Sequence, residues 1–417
     1  MIKNFFSVVG FTVNQGLCRI LDLLSAIVII RWFSISEFAL YTCLSLIYTL
    51  SSISSDLSIG QGVTTLGAKS RNNLTELSRL YKAALSYSRI FFWCSAPIVL
   101  FIGYCTTSSL KESALKITFC FIIIFLSNWF QRATSLRNSI FNIHHDTQSI
   151  NKITFVDSAL RMCLTIALCK HFPYVLLALS IRLISTVVNY FISFYYAKKY
   201  INEKMPYESQ QKNALKNFIL PQIPSTIYFM FSGYISIFLL SLIGQKSFIA
   251  QIGALSRLGQ IIGLFGTLNP VFLQPYLARV TNKKEFIQKS LGILIPTSIL
   301  TILIFCTTFT HPKLWLFILG ANYNNLHLEL PLAIGTALLS YIGGTLYFIV
   351  ISQYSSNIQS LRIVLGILST LLYGYFIGIK SAFDALTLNL LIETSNFIPQ
   401  IIIFFRLLIF WKERKDR

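Results

Sequence analysis

Charge is what this chain has least of. Asp, Glu, Lys and Arg make up 12% of its 417 residues, only 15 of them are acidic, and 54% of the chain is hydrophobic with a mean hydropathy of +0.64. A soluble domain carries about 25% charged residues, so a water-facing surface wrapped around one core is excluded and the bilayer must be the solvent. Long polar loops are missing too. The longest outward connection, His311 to Glu329, offers only His311, Lys313, His327 and Glu329 as candidate catalytic groups, with no paired carboxylates for acid–base chemistry. The eight cysteines lie in or beside apolar spans without a CxxC, which argues against a disulfide framework and a thiolate metal site. No small-residue cleavage site follows the first apolar run, and Arg19 and Asp22 interrupt it, so the first span is expected to be retained.

What is abundant is apolar sequence in runs of membrane-spanning length. Windows of about twenty residues place twelve spans near 8–31, 38–60, 84–106, 115–140, 153–169, 174–197, 218–242, 248–277, 290–310, 330–352, 361–379 and 385–410. With the N-terminus inside, the outward segments hold only Arg31, Lys111, Lys116, Lys170, Lys246, Lys313 and Lys380 of the 35 Lys and Arg. That is the positive-inside distribution, and it puts both termini in the cytoplasm. It also accounts for the net charge of +20 without nucleic acid, which would need the charge gathered on one soluble face. The polar stretch 198–217 reads as a cytoplasmic linker between an N-terminal six-helix bundle (1–197) and a C-terminal one (218–417).

A recurrence supports this cut. Glu37 to Lys82 is a long apolar run with a small, polar stripe, an acid (Asp56) at its inner end and a basic loop. About half a chain later, the run from Phe248 repeats the pattern, and placing Ala39 on Ala250 brings Leu44 and Ser45 onto Leu255 and Ser256. Spans seven and eight are broken by Pro221, Pro224, Pro270 and Pro275, with Gly253, Gly259, Gly263 and Gly266 between. Such residues free backbone groups and let a helix bend. Pro221, Pro224, Gly263 and Pro270 are therefore hinge candidates, close helix packing being the other reading of the glycines.

Several spans carry polar residues at helical spacing. These include Gln15, Arg19 and Asp22 in span one; Ser45, Tyr48, Ser52, Ser55 and Asp56 in span two; Asn128, Arg132 and Ser135 in span four; and Asp157 and Arg161 in span five. Gln222, Ser225, Ser232 and Ser236 follow in span seven and Asn389, Glu393, Asn396 and Gln400 in span twelve. A stripe of this kind faces other helices or water, and several together argue for a hydrated cavity. A mid-span Arg or Asp costs roughly 2.5–3.5 kcal/mol on insertion scales, so something offsets it. Arg19 with Asp22 and Asp157 with Arg161 are spaced to pair on one helix. For Arg19 and Arg161 an internal ion pair and a substrate role both stand. Arg132, Arg182 and Arg257 have no acid within four residues, and Arg257, in the broken eighth span, is the leading candidate for contact with cargo. Six membrane arginines (19, 89, 132, 161, 182, 257) stand against four acids (22, 56, 157, 393), and guanidinium suits phosphate, so an anionic cargo is expected. Asp22, Glu393 and Asp157 are candidates for a coupling H⁺ or Na⁺, a carboxylate held permanently by an Arg being the alternative. His144, His145 and Asp146 share no further ligand at metal-binding spacing, and neither a metal nor another cofactor is expected.

EFALY before the second span and SDLSIGQGVTTLGAKS after it, the PVFLQPYLAR that ends span eight, and FILGANYNNL before span ten resemble the O-antigen and polysaccharide flippases of Wzx type. These belong to the multidrug/oligosaccharidyl-lipid/polysaccharide exporter superfamily. The resemblance implies an all-α polytopic membrane protein of the MATE-like, V-shaped kind, two six-helix bundles in parallel pseudo-repeat around a cationic cavity. It implies alternating access in the bacterial inner membrane, with an undecaprenyl-pyrophosphate-linked repeat unit turned from the cytoplasmic to the periplasmic leaflet. Arg19, Asp22, Arg132, Arg161, Arg257 and Glu393 match the family's charged lumen, and Arg182 joins them as an isolated charge. A monomer is expected. The polymerase and chain-length regulator of the same pathway are the partners the family implies, with no enzymatic activity. A MATE-like drug or small-solute antiporter is the main alternative, and an O-antigen polymerase the lesser one.

Overall fold

The computed structural model describes every residue except Met1, Lys204, 267–268, 270–272, 274–275, 278–279, 281, 353–358 and 410–417. The hinge candidate Pro270, with Pro275 and the basic C-terminal stretch, lies outside the described residues. Within them the chain is helical, with no strand: α1 (Ile2–Trp32), α2 (Ile35–Asp56), α3 (Ile59–Gly67), α4 (Leu74–Ser108), α5 (Ala114–His144), α6 (Thr147–Cys169), α7 (Val175–Ala197), α8 (Ser209–Ile219), α9 (Ile223–Ser232), α10 (Ile235–Ile243), α11 (Lys246–Gly266), α12 (Lys283–Thr310), α13 (Pro312–Leu319), α14 (Glu329–Ile351), α15 (Gln359–Phe376) and α16 (Ala382–Ile409). Among the described residues eight spans are long and apolar enough to cross a bilayer, α2 and α3 counting as one, and α8 to α10 pass the same test only when taken together as one broken run. The remaining three of the twelve expected positions hold α6, α11 and α15. The first is diluted by Lys152, Asp157 and Arg161, and the last is short. The protein is an all-α polytopic membrane protein.

Two compact units divide the chain: Met1–Tyr234 with Gly244–Lys246, and Ile235–Ile243 with Ser247–Arg417. In the first, α1 packs on α6, α5 on α7, α2 on α4 and α6 on α7. Four of its helices start on a capping side chain: Ser34, Asn73, Ser113 and Asp146 accept from the backbone N–H of Glu37, Glu76, Lys116 and Ser149. Each such cap contributes about 1 kcal/mol. The α2–α3 junction is a break, with Leu57 (φ 37°) and Ser58 (φ 68°) both left-handed. Asp56 Oδ1 takes the N–H of Gly60 at 3.1 Å, and Ser58 Oγ meets Thr226 Oγ1 at 2.9 Å. Residues 198–217, expected to be linker, contain most of α8. Leu215 and Ile219 of that helix are buried with Ile59, Val63, Leu77 and Phe141. Its approach requires Gly62, where an added Cβ would stand 2.7 Å from Leu215 Cδ1. The sequence shows this helix only in the 215/218/219 spacing at its C-terminal end.

In the second unit α14 and α15 pack on α16, α12 on α14 and α10 on α16. Leu346, Ile349, Val350, Ile403 and Phe404 form one apolar cluster with Phe286, and Tyr373, Leu388 and Ile392 form another, joined by Ile235 and Leu239. Of the hinge candidates, Pro221 lies in the 3-10 turn Leu220–Gln222 and Pro224 in the first turn of α9. Gly263 lies in α11 with nothing within 4 Å of an added Cβ, whereas Gly259 has Ala337 Cβ at 3.1 Å.

Candidate functional site

The polar stripe of α1 is largely consumed by a seam with α6. Asn14 Nδ2 donates to the Asn151 carbonyl (3.2 Å), Gln15 Nε2 donates to Thr154 Oγ1 (3.1 Å), and Ser25 Oγ donates to Thr165 Oγ1 (3.1 Å). Every three or four residues along both helices one polar contact joins them, which is the spacing a close helix pair presents. In the middle of the seam stands the charge. Arg161 Nη2 lies 2.7 Å from Asp157 Oδ2 and 3.0 Å from Asp22 Oδ1, so one guanidinium serves two carboxylates. The pairing of Asp22 with Arg19 expected from their spacing does not form. Arg19 is exposed, and Asp22 is turned to α6.

Next to this triad is a second arginine of a different kind. Arg182 on α7 sets its guanidinium carbon 3.5 Å from the centroid of Tyr48 and makes no ion pair among the described residues. Tyr48 and Tyr41 also lie in the electrostatic surroundings of Arg161. The Tyr48 carbonyl takes the side-chain amide of Asn128 (3.1 Å), while Asn128 Oδ1 and the buried Ser45 Oγ have no partner. Arg182 of α7 is thus set on Tyr48 of α2, and Tyr48 lies in electrostatic range of Arg161, which holds Asp22 of α1 and Asp157 of α6. Arg132 does not join them. It lies over Trp129 at 3.8 Å, and its ionisable neighbours are Arg89, Tyr81 and Tyr190. Arg89 is exposed as well as Arg19, so pairing in the interior is nearer one-to-one than the sequence count of six against four.

The second unit holds Arg257 and Glu393. Arg257 is half-buried on α11, its Nε without a hydrogen-bond partner. Glu393 on α16 is half-buried and has Arg362 of α15 in electrostatic range and Asn396 as a hydrogen-bond partner.

Two networks escaped the sequence reading because their members are far apart in the chain. At one end of the first unit, Lys116 pairs with Glu37 and Glu112, Lys246 Nζ reaches Glu112 Oε1 and Ser36 Oγ (2.9 Å each), and Glu37 Oε2 takes the N–H of Val175 (2.9 Å). Burial alone would raise the Glu112 carboxyl, but the Lys246 and Lys116 ammoniums outweigh it and hold it below the ordinary range. At the opposite end, the fully buried Arg137 donates to Glu203 Oε1 (2.9 Å), the Tyr190 carbonyl and Ser193 Oγ (3.1 Å each). Asp146 takes Lys199 Nζ, Ser149 Oγ (2.7 Å each) and Tyr200 Oη (3.1 Å). These bonds overcome its burial and bring its carboxyl down to about 2. His144 is stacked on Tyr200, ring centroids 4.1 Å apart. The acids of the inner loops, Glu203 and Asp146, were the available signal for both inner contacts.

No protein-family model matches the chain, and no curated protein does. Among solved structures it is similar to the eukaryotic MATE transporter AtDTX14, with TM-score 0.66 and 12% identity over 99% of this chain and 96% of that one. It is also similar to the lipid II flippase MurJ in an inward closed conformation (TM-score 0.66, 13% identity, 96% of this chain and 87% of that one). A third similar structure is a MOP superfamily transporter from Pyrococcus furiosus Vc1, described by a reversed polarity of its binding pocket (TM-score 0.54, 12% identity, 97% and 96%). At these identities the likeness is one of fold.

Proposed function

We propose that the chain is a flippase of Wzx type, moving an undecaprenyl-pyrophosphate-linked saccharide unit from the cytoplasmic to the periplasmic leaflet. The observation that carries this reading is the state of the membrane arginines. Arg161 takes two carboxylates, whereas Arg182 and Arg257 have no carboxylate partner among the described residues. Keeping such groups at membrane depth is costly, and a pyrophosphate cargo that accepts paired N–H donors offsets that cost when it binds. The likeness of fold to a lipid II flippase supports the class of cargo. Transport is coupled to a proton or sodium ion at the Asp22–Arg161–Asp157 triad, where two carboxylates share one guanidinium. That same triad, with the likeness to MATE transporters, is what favours the second reading, a small-solute antiporter.

The deciding measurement follows the lipid-linked saccharide in a strain lacking this gene. Complete units retained on the cytoplasmic face, with no polymer outside, are expected. Complete units delivered to the outer face but not joined would instead assign the polymerase step, and unchanged export with altered drug tolerance would assign the antiporter. In the complemented strain, Arg182→Ala and Arg257→Ala are expected to abolish export at normal membrane levels. Lysine at either position keeps the charge, loses the planar fork and restores export in part.

A further inference from the structure

Trp129 of α5 has two arginines beside its ring. The guanidinium carbon of Arg132 lies 3.8 Å from its ring centroid and that of Arg89, on α4, lies 6.0 Å away. Neither makes an ion pair among the described residues. Arg132 is 7% exposed, and its buried Nε and Nη1 have no hydrogen-bond partner. Two like charges facing one ring repel each other, and buried N–H groups left unmade cost roughly 1–3 kcal/mol each, so this arrangement is incomplete as it stands. The platform is firmly held. Trp129 packs edge-on to Phe92 (5.7 Å) and against Trp93 (6.0 Å), and Phe92 packs on Phe125 (5.8 Å).

Depth and exposure point outward to lipid. Arg89 is on the exposed side of α4 and Trp93, one turn on, is 61% exposed. Counted from the ends of α4 and α5 that meet at Ser109–Ser113, both arginines lie roughly 27–28 Å along their helices at 1.5 Å per residue. The hydrocarbon core is about 30 Å thick, so both guanidiniums reach its far boundary together, flanked by the tryptophans that favour the headgroup region. With the N-terminus inside, that boundary belongs to the cytoplasmic leaflet.

We infer that Arg89 and Arg132, set on Trp129, bind the phosphate of an anionic phospholipid of the cytoplasmic leaflet, at a site separate from the Arg161–Arg182 cluster. The lipid's phosphate oxygens accept from both guanidiniums and its chains lie along the apolar outer face of α4 and α5. The inference does not depend on which cargo the protein moves.

The test uses the purified full-length protein in neutral-lipid nanodiscs, titrated with phosphatidylglycerol, with retained lipid counted by native mass spectrometry. Saturable retention is expected in the wild type and about tenfold weaker binding in Arg89→Ala and Arg132→Ala, the loss of one charge-assisted contact. Arg89→Ala changes an exposed side chain and keeps the experiment decisive if Arg132→Ala fails to fold. Lysine at position 89 is expected to restore most of the retention. Equal retention in wild type and Arg89→Ala would overturn the inference. So would stabilisation of the wild type by inorganic phosphate that phosphatidylglycerol does not reproduce, because the site would then take a soluble anion.

Discussion

A guanidinium that serves two carboxylates is the most informative single arrangement in the first unit. Arg161 lies 2.7 Å from Asp157 and 3.0 Å from Asp22, and its side chain is 26% exposed. Replacing one acid by its amide leaves Arg161 paired and removes the second carboxylate that shares it. Asp22→Asn and Asp157→Asn are therefore each expected to leave membrane level unchanged while abolishing the dependence of transport on a proton or sodium gradient. Replacing both leaves an unpaired guanidinium. That costs about 3 kcal/mol, the low end of the range for a broken buried pair because the group is partly exposed. The loss would be read as a lower melting temperature in detergent. If each single variant loses as much stability as the double one and keeps its gradient dependence, the triad is a structural pair and coupling lies elsewhere.

At the scale of elements, the α2–α3 break and the helix docked against it show how local sequence and packing divide the work. Gly62 admits Leu215 where an added Cβ would approach to 2.7 Å. Gly62→Ala therefore forces Leu215 and Phe218 aside, with a destabilisation of about 1–3 kcal/mol. Hydrogen exchange in α8 is expected to rise selectively; unchanged protection there would mean that the helix is held by other contacts. This region also marks the limit of what could be read from the chain. The apolar runs made the spans legible, because a bilayer imposes one length and one composition on each. Helix α8 was not legible, since its core-facing residues Leu215, Phe218 and Ile219 are confined to its C-terminal half and the first five residues are all polar. For the site, residue types and spacing identified the charges. They paired Asp157 with Arg161 as the structure has it, at i, i+4 on one helix. They also paired Arg19 with Asp22, where the structure has α6, because sequence spacing carries no information on which helix packs alongside. The stacking of Arg182 on Tyr48 joins positions more than a hundred residues apart and leaves no local trace.

At the scale of the molecule, the polar networks of the first unit sort its connections into two sets. Glu37, Glu112, Lys116, Val175 and Lys246 bring together the starts of α2, α5 and α7, the end of α4 and the start of α11. Arg71 with the His144 carbonyl, Asp146 with Lys199, and Arg79 with Glu208 bring together the opposite ends. Antiparallel neighbours require this alternation, so one measured loop fixes the side of all the others in the unit. Charge then selects the orientation: Lys69, Arg71, Arg79, Lys82, Lys198, Lys199, Lys212 and Lys216 lie in or beside the second set, while Glu37 and Glu112 offset the lysines of the first. Positive-rich connections stay in the cytoplasm. Alkaline phosphatase fused after Lys111 or Lys170 is therefore expected to be active, and after His145 or Asn202 inactive. A single fusion out of phase would break the alternation that the ion pairs describe. A wholly inverted set would keep the helix packing and reverse the membrane orientation. It would place Arg89, Arg132 and the proposed lipid phosphate in the outer leaflet, so the topology measurement also decides which leaflet must supply that lipid.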